Sequence, residues 1–251
     1  MNSNTNKVIV TFLLTFSLTL QANNEKWNFS LTPYGWFAGF EGLSGTFENL
    51  PPLDVNISPS DALNDSDSSF MLIAEAKKGK HGIYTDYFYS NSLYEEDIFP
   101  NLGVSFRSRT KTTMITLAYE REIFKDTDTS FELLAGARWW QINSALTFKF
   151  PNPVNNRSIK STEQWLDPYV GIKGRTYIEN SSFYLAGALS IGGFGINSDF
   201  FYDTNINIGY QWTPTIGTAI GYRQYELDYE NNSFIYDVKQ AGLQVDLTWK
   251  F

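Results

Sequence analysis

The sequence contains no cysteine and only one histidine among 251 residues. Without cysteine the chain has neither a disulfide framework nor thiol chemistry, and a single histidine excludes any site that needs two. Acidic residues outnumber basic ones by 27 to 19, giving a net charge of −8, which disfavours an extended nucleic-acid surface. The sequence also lacks a metal-ligand spacing and a glycine-rich phosphate loop at the start of a helix. It therefore predicts no metal site, no cofactor and no nucleic-acid partner.

Long apolar runs are missing after residue 22, where nothing approaches the roughly 20 residues of a spanning helix. The one apolar block is "VIVTFLLTFSLTL", residues 8–20, preceded by Lys7 and followed by "QANN". This order is typical of a secretory signal peptide with Ala22 before the cleavage site. The alternative is an anchoring helix, for which the block is short. We predict a signal peptide over 1–22 and one exported domain over 23–251.

Aromatic residues are abundant, at 17% of the chain, and many of them lie in segments that alternate strictly. In "DFFYDTNINIGYQW", 199–212, the even positions are mostly apolar or aromatic and the odd positions mostly polar. "WLDPYVGIKGRTYI" and the closing "QVDLTWKF" alternate in the same way. This period predicts strands with one apolar and one polar face. The alternation changes phase near Thr112, where a β-bulge would explain it, and again near Asn143.

The apolar faces of these strands could meet a protein core or a lipid bilayer. The predicted strands run about 12 to 20 residues, longer than strands in soluble sheets and sufficient to cross a membrane. Aromatic residues lie near strand ends, as in the girdles of membrane barrels, and only a closed barrel leaves no unpaired edge in hydrocarbon. We predict an all-β fold, a single transmembrane antiparallel up-and-down β-barrel. The alternatives are a secreted β-sandwich and a lipocalin-like barrel.

The number of strands depends on residues 41–67. We expect about ten strands, within a range of about eight to twelve, if 27–40 is the first strand and 41–67 is one external loop. The count rises to about twelve if part of that loop crosses the membrane. Within the loop, Ser60 is predicted to cap a helical turn through Ala62 and Leu63. The turn would either plug the lumen mouth or lie exposed.

The terminal "LQVDLTWKF" resembles the closing strand of Gram-negative outer-membrane barrels, whose last aromatic residue is read by the barrel-assembly machinery. Phe251 is the matching position. Further stretches resemble a group of small outer-membrane barrels without an assigned activity: "WNFSLTPYGWF", "FMLIAEAKKGKHGIYTDYFY", "WLDPYVGIKGR", "IGGFGINSDF" and "GYRQYELDY". The resemblance implies a location in the outer membrane, with membrane lipid and the assembly machinery as partners. It implies no reaction.

Twelve charged residues are predicted to point into the lumen, because they fall on polar strand faces. They are Glu75, Asp86, Arg107, Arg109, Lys111, Glu132, Arg138, Asp167, Lys173, Arg175, Asp203 and Arg223. Buried charges must be paired or solvated, which leaves two hypotheses. In one, opposite charges meet across a narrow lumen and fill it. In the other, they line a solute pore or pocket, where the bases at 107, 109 and 111 attract a small anionic solute near the outer mouth.

The single histidine, His81, lies in "KGKHG", which the topology places in a periplasmic turn. Outer-membrane proteases, phospholipases and deacylases resemble this barrel but depend on a histidine that works with other polar groups. A periplasmic turn is the wrong place for such a site. We therefore predict a non-enzymatic outer-membrane protein with a structural or passive role, as a narrow channel or a binding barrel. The alternatives are a surface enzyme acting on lipid or peptide, and an adhesin that binds through its long loops.

Overall fold

The computed structural model of the protein describes residues 25–45, 47, 51–232 and 234–251, and the predicted signal peptide lies outside them. The described residues form eleven strands, one short α-helix and two single 3₁₀ turns at Pro100–Leu102 and Pro153–Asn155. In chain order the strands and the α-helix are β1 (Trp27–Gly45), β2 (Leu53–Ile57), α1 (Pro59–Asn64), β3 (Ser66–Lys78), β4 (His81–Phe99), β5 (Val104–Lys125), β6 (Thr129–Lys149), β7 (Arg157–Tyr177), β8 (Phe183–Gly192), β9 (Phe200–Gln211), β10 (Ile216–Asn231) and β11 (Phe234–Lys250). Among these residues no helix is both long and apolar enough to cross a bilayer.

Ten of the strands close into one antiparallel up-and-down barrel. Strands β3 to β11 each pair with the next strand in sequence, and β1 joins β3 on one side and β11 on the other. The eleventh strand, β2, pairs only with the outer part of β1. The predicted barrel of about ten strands is confirmed. The first strand extends to Gly45, beyond the predicted end at Phe40, and the segment 41–67 contains β2 and α1.

The apolar side chains of the barrel face outward. In β11, Leu243, Leu247 and Trp249 are 48–55% exposed, whereas Gln244 between them is 2% exposed. A barrel in water would bury the first set and expose the second. Exposed apolar side chains around a closed ladder of hydrogen bonds require hydrocarbon outside the barrel. The protein is therefore a multi-pass barrel of the outer membrane, with lipid around its apolar belt.

The two ends of the barrel differ in their connections. One end carries Trp27, Phe251 and short turns at 79–80, 126–128, 178–182 and 212–215, and the other carries the segments 51–65, 150–156 and 193–199. By the rule for outer-membrane barrels the short turns face the periplasm. At the outer end of the β10–β11 hairpin, Asn231 pairs with Phe234.

The predicted phase changes near Thr112 and Asn143 are wrong. The ladders through both positions are continuous, and the register shifts lie elsewhere, at Ser66/Ser68, Asp97/Phe99 and Glu122/Phe124. Above the membrane the outward face meets water and headgroups, so it changes from apolar to charged without any change in backbone phase. The sequence pattern alone cannot distinguish that change of medium from a bulge.

Phe251 lies at the seam that closes the barrel. The N–H of Phe251 donates to the carbonyl oxygen of Phe29, and the N–H of Phe29 donates to the carbonyl oxygen of Phe251, both at 3.0 Å. The rings of Phe29 and Phe251 stack with centroids 5.8 Å apart, and Trp249 lies 5.2 Å from the Phe251 ring. Phe251 thus joins β11 to β1 at the periplasmic rim through backbone hydrogen bonds and ring contacts.

Candidate functional site: the lumen and the cavity in its outer half

A buried cluster of two arginines and two aspartates crosses the middle of the lumen. Asp203 accepts from Arg138 Nη2 at 2.9 Å and from Arg223 Nε and Nη2 at 2.9 and 2.7 Å. Arg223 Nη2 also reaches Asp86 at 3.2 Å. Tyr34 OH donates to Asp86 at 2.8 Å and accepts from Arg223 Nη1 at 3.0 Å. Two positive and two negative charges therefore neutralise one another.

Aromatic rings enclose both guanidinium groups of this mid-lumen cluster. Arg138 Cζ lies 4.9 Å from the Phe201 ring centroid and 5.1 Å from that of Tyr169. Arg223 Cζ lies 5.0 Å from the Trp36 ring. Ring faces attract cations and exclude water, so the lumen is filled at this level. Both arginines are at most 4% exposed.

A second cluster lies closer to the periplasm. Lys77 Nζ is 2.5 Å from Glu120 Oε1 and 3.4 Å from Glu132. Lys173 contacts Glu75 and lies 3.4 Å from Glu120. Three carboxylates thus surround two ammonium groups, and they form a second layer of ion pairs on the periplasmic side of the mid-lumen cluster.

The structure groups nine of the twelve predicted lumen residues on inward strand faces. Asp86, Arg138, Asp203 and Arg223 form the mid-lumen cluster, and Glu75, Glu132 and Lys173 belong to the periplasmic one. Asp167 accepts from Ser198 N–H and Oγ and from Trp165 Nε1, which ties the external turn 193–199 to the lumen wall. The Arg175 guanidinium lies over the Tyr184 ring at 4.3 Å.

The prediction that Arg107, Arg109 and Lys111 face the lumen is wrong. Along β5 the even-numbered residues from Thr112 to Glu120 are buried, and no register shift separates them from the three bases. The bases therefore share the outward face of Leu117. Near the outer mouth, the even-numbered Ser108, Thr110 and Thr112 line the lumen instead. The error follows directly from the bulge that was assumed near Thr112.

The sequence prediction missed Tyr34, Lys77, Thr116 and Glu120, which all contact the charged clusters. Lys77 shares the face of Glu75 and could have been found from that parity. Thr116 and Glu120 lie on the face opposite Leu117 and Tyr119 and could have been found in the same way. Tyr229, which lies near the end of β10 as girdle residues do, points into the lumen and packs in its aromatic lining, and so does Trp36 in the middle of β1. Only the strand pairing shows on which face a strand-end aromatic lies.

Above the mid-lumen cluster lies a cavity of about 500 Å³. Tyr34 and Trp36 lie at its floor, next to Arg223. Its apolar walls include Phe40, Met71, Phe88, Leu146 and Tyr236, and its serine and threonine hydroxyl groups come from Ser44, Ser66, Ser69, Ser90, Ser92, Ser108, Thr110, Thr112 and Ser144. Among the described lining residues Asp65 is the only one with a charged side chain. The cavity is therefore mostly apolar, with many neutral hydrogen-bonding groups.

One side of this cavity is a gap in the barrel wall. β1 pairs with β3 only as far as Pro33 opposite Leu72, and from Phe40 outward it pairs with β2 instead. Proline has no N–H to donate, so it often ends a ladder. Between these points the 34–39 edge of β1 and the 66–71 edge of β3 are not paired with each other. We call this gap the β1–β3 window.

Helix α1 crosses the outer end of the β1–β3 window. Ser58 is its N-cap, with Oγ accepting from Asp61 N–H at 3.2 Å, and Pro59 begins the helix. The predicted helical turn is confirmed, but its cap is Ser58 and not Ser60. A Cβ on Gly39 would lie 2.9 Å from the Ile57 carbonyl oxygen and 3.1 Å from Pro59 Cδ, so glycine permits this close approach. Pro59, Ala62 and Leu63 line the cavity, as a plug would.

The β1–β3 window opens within the apolar belt. The cavity lining includes Gly35, Phe37 and Gly39, which lie on the outward face of β1. Phe37 and Phe70, one on each side, are 44% and 55% exposed. The first charged outward residue on β1 is Glu41, beyond the window. The cavity thus reaches the lipid-facing surface as well as the lumen.

Comparison with solved structures relates the chain to the outer-membrane protease OmpT from Escherichia coli, with a TM-score of 0.58 and 13% identity over 91% of this chain and 98% of that one. The protein has the outer-membrane β-barrel fold. Lower TM-scores relate it to Ail of Yersinia pestis, 0.41 at 14% identity over 89% and 99% of the two chains. The NalP translocator domain of Neisseria meningitidis gives 0.44 at 9% identity over 89% and 88%. No protein-family model and no curated protein matches the sequence.

The likeness of this barrel to a protease concerns the fold alone, because only 13% of aligned residues are identical. His81 lies at the periplasmic end, as expected, and begins β4. Its ring nitrogens contact Tyr119 OH at 2.5 Å and Arg121 Nη1 at 2.6 Å. Within the described residues no group of three or more histidine or acidic side chains could hold a metal ion.

Proposed function

We propose that this outer-membrane barrel is a closed binding protein for a small, mostly apolar molecule, which occupies the cavity in the outer half of its lumen. The observation that carries the proposal is a cavity of about 500 Å³ above a filled mid-lumen. Ligand sites in proteins typically measure about 300–1,000 Å³, with apolar walls and a few polar groups. This cavity has that size and that chemistry.

The lining indicates the class of ligand. Aromatic and aliphatic walls favour an uncharged molecule, and hydroxyls from five strands can orient one or two hydrogen-bonding groups on it. A small anion is disfavoured, because Arg107, Arg109 and Lys111 lie outside the lumen and Asp65 lies inside the cavity. The β1–β3 window, within the apolar belt, offers such a molecule a route from the membrane.

Binding can be tested with an uncharged fluorophore, N-phenyl-1-naphthylamine, added to vesicles that contain the barrel. Energy transfer from tryptophan should report binding, because Trp36 lines the cavity. Replacing Ser90 and Ser108 together by Phe should fill the space and weaken binding at least about tenfold, or about 1.4 kcal/mol. The matched control is Thr113→Phe, on the lipid-facing side of β5. Equal transfer in the filled variant and the wild type would contradict the proposal.

The closed lumen predicts the behaviour of the barrel in planar bilayers. Two arginines and two aspartates cross the lumen in direct contact, so we expect no conductance steps from the wild-type protein. Replacing Arg138 and Arg223 together by Ala should remove most of that material and allow ion flow. Steady conductance of the wild type would favour the channel hypothesis over a closed binding barrel.

A further inference from the structure

The outward face of the external rim carries a group of bases that the cavity does not use. Arg107, Arg109 and Lys111 follow one another on the outward face of β5. Lys149 on β6 and Lys160 on β7 lie on the same side of the sheet. This is a strongly charged patch on a protein whose net charge is −8.

Two of these five bases already share one carboxylate partner within the chain. Arg107 Nη2 lies 2.6 Å from Glu95 Oε2, and Lys149 Nζ lies 2.5 Å from Glu95 Oε1. Arg109, Lys111 and Lys160 have no ion pair or hydrogen bond among the described side chains. On β3, beyond β4, the Asp67 carboxylate accepts a hydrogen bond from Asn91 Nδ2 at 2.6 Å. We call the three bases without a partner the rim triad.

The rim triad surrounds a small residue. Arg109 pairs with Ala145 on β6, and Ala145 pairs with Lys160 on β7. With strands about 4.8 Å apart, the two bases stand about 10 Å from each other, and Lys111 lies about 7 Å along β5 from Arg109. The methyl group of Ala145 leaves the space between them open. Three long cationic side chains can therefore converge on one anion above Ala145.

The triad lies just above the apolar belt. Lys111 lies four residues before Ile115 in the sequence, and Lys160 lies six residues before Leu166. Given the strand rise and the tilt of barrel strands, these spacings correspond to about 10–15 Å above the last apolar side chains. This is the level of lipid headgroups, next to the surface that hydrocarbon covers.

We infer that the rim triad binds the phosphorylated headgroup of an outer-leaflet lipid, whose acyl chains lie against the apolar faces of β5 to β7. Phosphate is the anion that converging Lys and Arg side chains recognise. The triad lies at the level of the headgroups and next to an apolar wall. A lipid is therefore favoured over a soluble anion, because the triad can contact its headgroup while the wall contacts its acyl chains. Juxtamembrane bases attract anionic lipids in this way.

The test uses native mass spectrometry of the full barrel in detergent, with lipid A as the phosphorylated probe. Replacing Arg109, Lys111 and Lys160 by Gln should weaken lipid A binding at least about tenfold. The matched control replaces Lys78, Lys80 and Lys125 by Gln, which makes the same charge change at the periplasmic end, and it should bind as the wild type does. The heat-dependent gel shift of the folded barrel verifies that both variants fold.

Two results would overturn the inference. One is equal loss of lipid A in the triad variant and the control, which would mean that only net charge matters. The other is displacement of lipid A by inorganic phosphate at equal concentration, which would identify the triad as a site for a free anion. Retained binding by the wild type under phosphate, with loss confined to the triad variant, supports a lipid site. Neither result depends on whether the lumen cavity binds a ligand.

Discussion

Replacing Asp203 by Ala should destabilise the barrel by about 3–5 kcal/mol, because both mid-lumen arginines would lose their shared carboxylate. Arg138 and Arg223 are nearly inaccessible to water and donate three hydrogen bonds to Asp203. After the substitution Arg223 keeps Asp86, but Arg138 keeps only Thr116 and the surrounding rings. The loss of stability is large because the substitution leaves a buried cation without a counter-charge.

The measurement is the free energy of unfolding in urea for barrels folded into lipid vesicles. Asp199→Ala is the matched control, an exposed carboxylate one residue before β9, and should change stability by less than about 0.5 kcal/mol. Replacing Arg138 by Met in the Asp203→Ala protein should restore part of the stability, because it removes the uncompensated charge. A loss below about 1 kcal/mol in Asp203→Ala would show that water solvates the cluster.

Deleting Phe251 should reduce the amount of folded barrel in the outer membrane far more than it reduces the stability of barrels that have already folded. The deletion removes two backbone hydrogen bonds to Phe29 and two ring contacts, together worth about 2 kcal/mol. The larger effect is expected on assembly, because the terminal strand resembles the one that the barrel-assembly machinery reads.

Two variants separate these effects. Phe251→Trp keeps a terminal aromatic ring and should assemble normally, whereas Trp249→Ala removes a neighbouring ring of the same face and should assemble better than the deletion. Heat-dependent mobility of membrane fractions on gels measures the folded amount, and urea unfolding measures stability. Normal membrane insertion of the protein lacking Phe251 would count against a role for this residue in assembly.

The charged clusters, the cavity and the rim triad lie at different heights and on different sides of the barrel wall. Ion pairs and aromatic rings fill the middle of the lumen. The outer half contains the cavity, and the window beside it lies where β1 leaves β3. The rim triad lies outside the wall. Passive binding by this barrel would therefore depend on its outer half and on the surrounding lipid.

The sequence alone determined that this protein is a barrel of about ten strands. Apolar residues at every second position over long segments indicate which side chains face lipid. The pattern of "QVDLTWKF" predicted the faces of β11 correctly: Leu243, Leu247 and Trp249 are exposed and Gln244 is buried. The same alternation predicted that twelve charged residues point inward, and nine of them do, since each of the nine lies opposite apolar neighbours on a membrane-spanning segment.

Only the tertiary structure decided what these faces contact. The alternation of apolar and polar residues does not show where the bilayer ends. The outward-facing bases of β5 were therefore predicted wrongly as lumen residues. The pairing of Arg223 with Asp86, 137 residues away, depends on closure of the barrel, which no local pattern contains. The cavity and its window likewise exist because β1 changes partner from β3 to β2 between Pro33 and Phe40. Partner choice is a long-range property of the closed sheet, whereas the face of each residue is a local one.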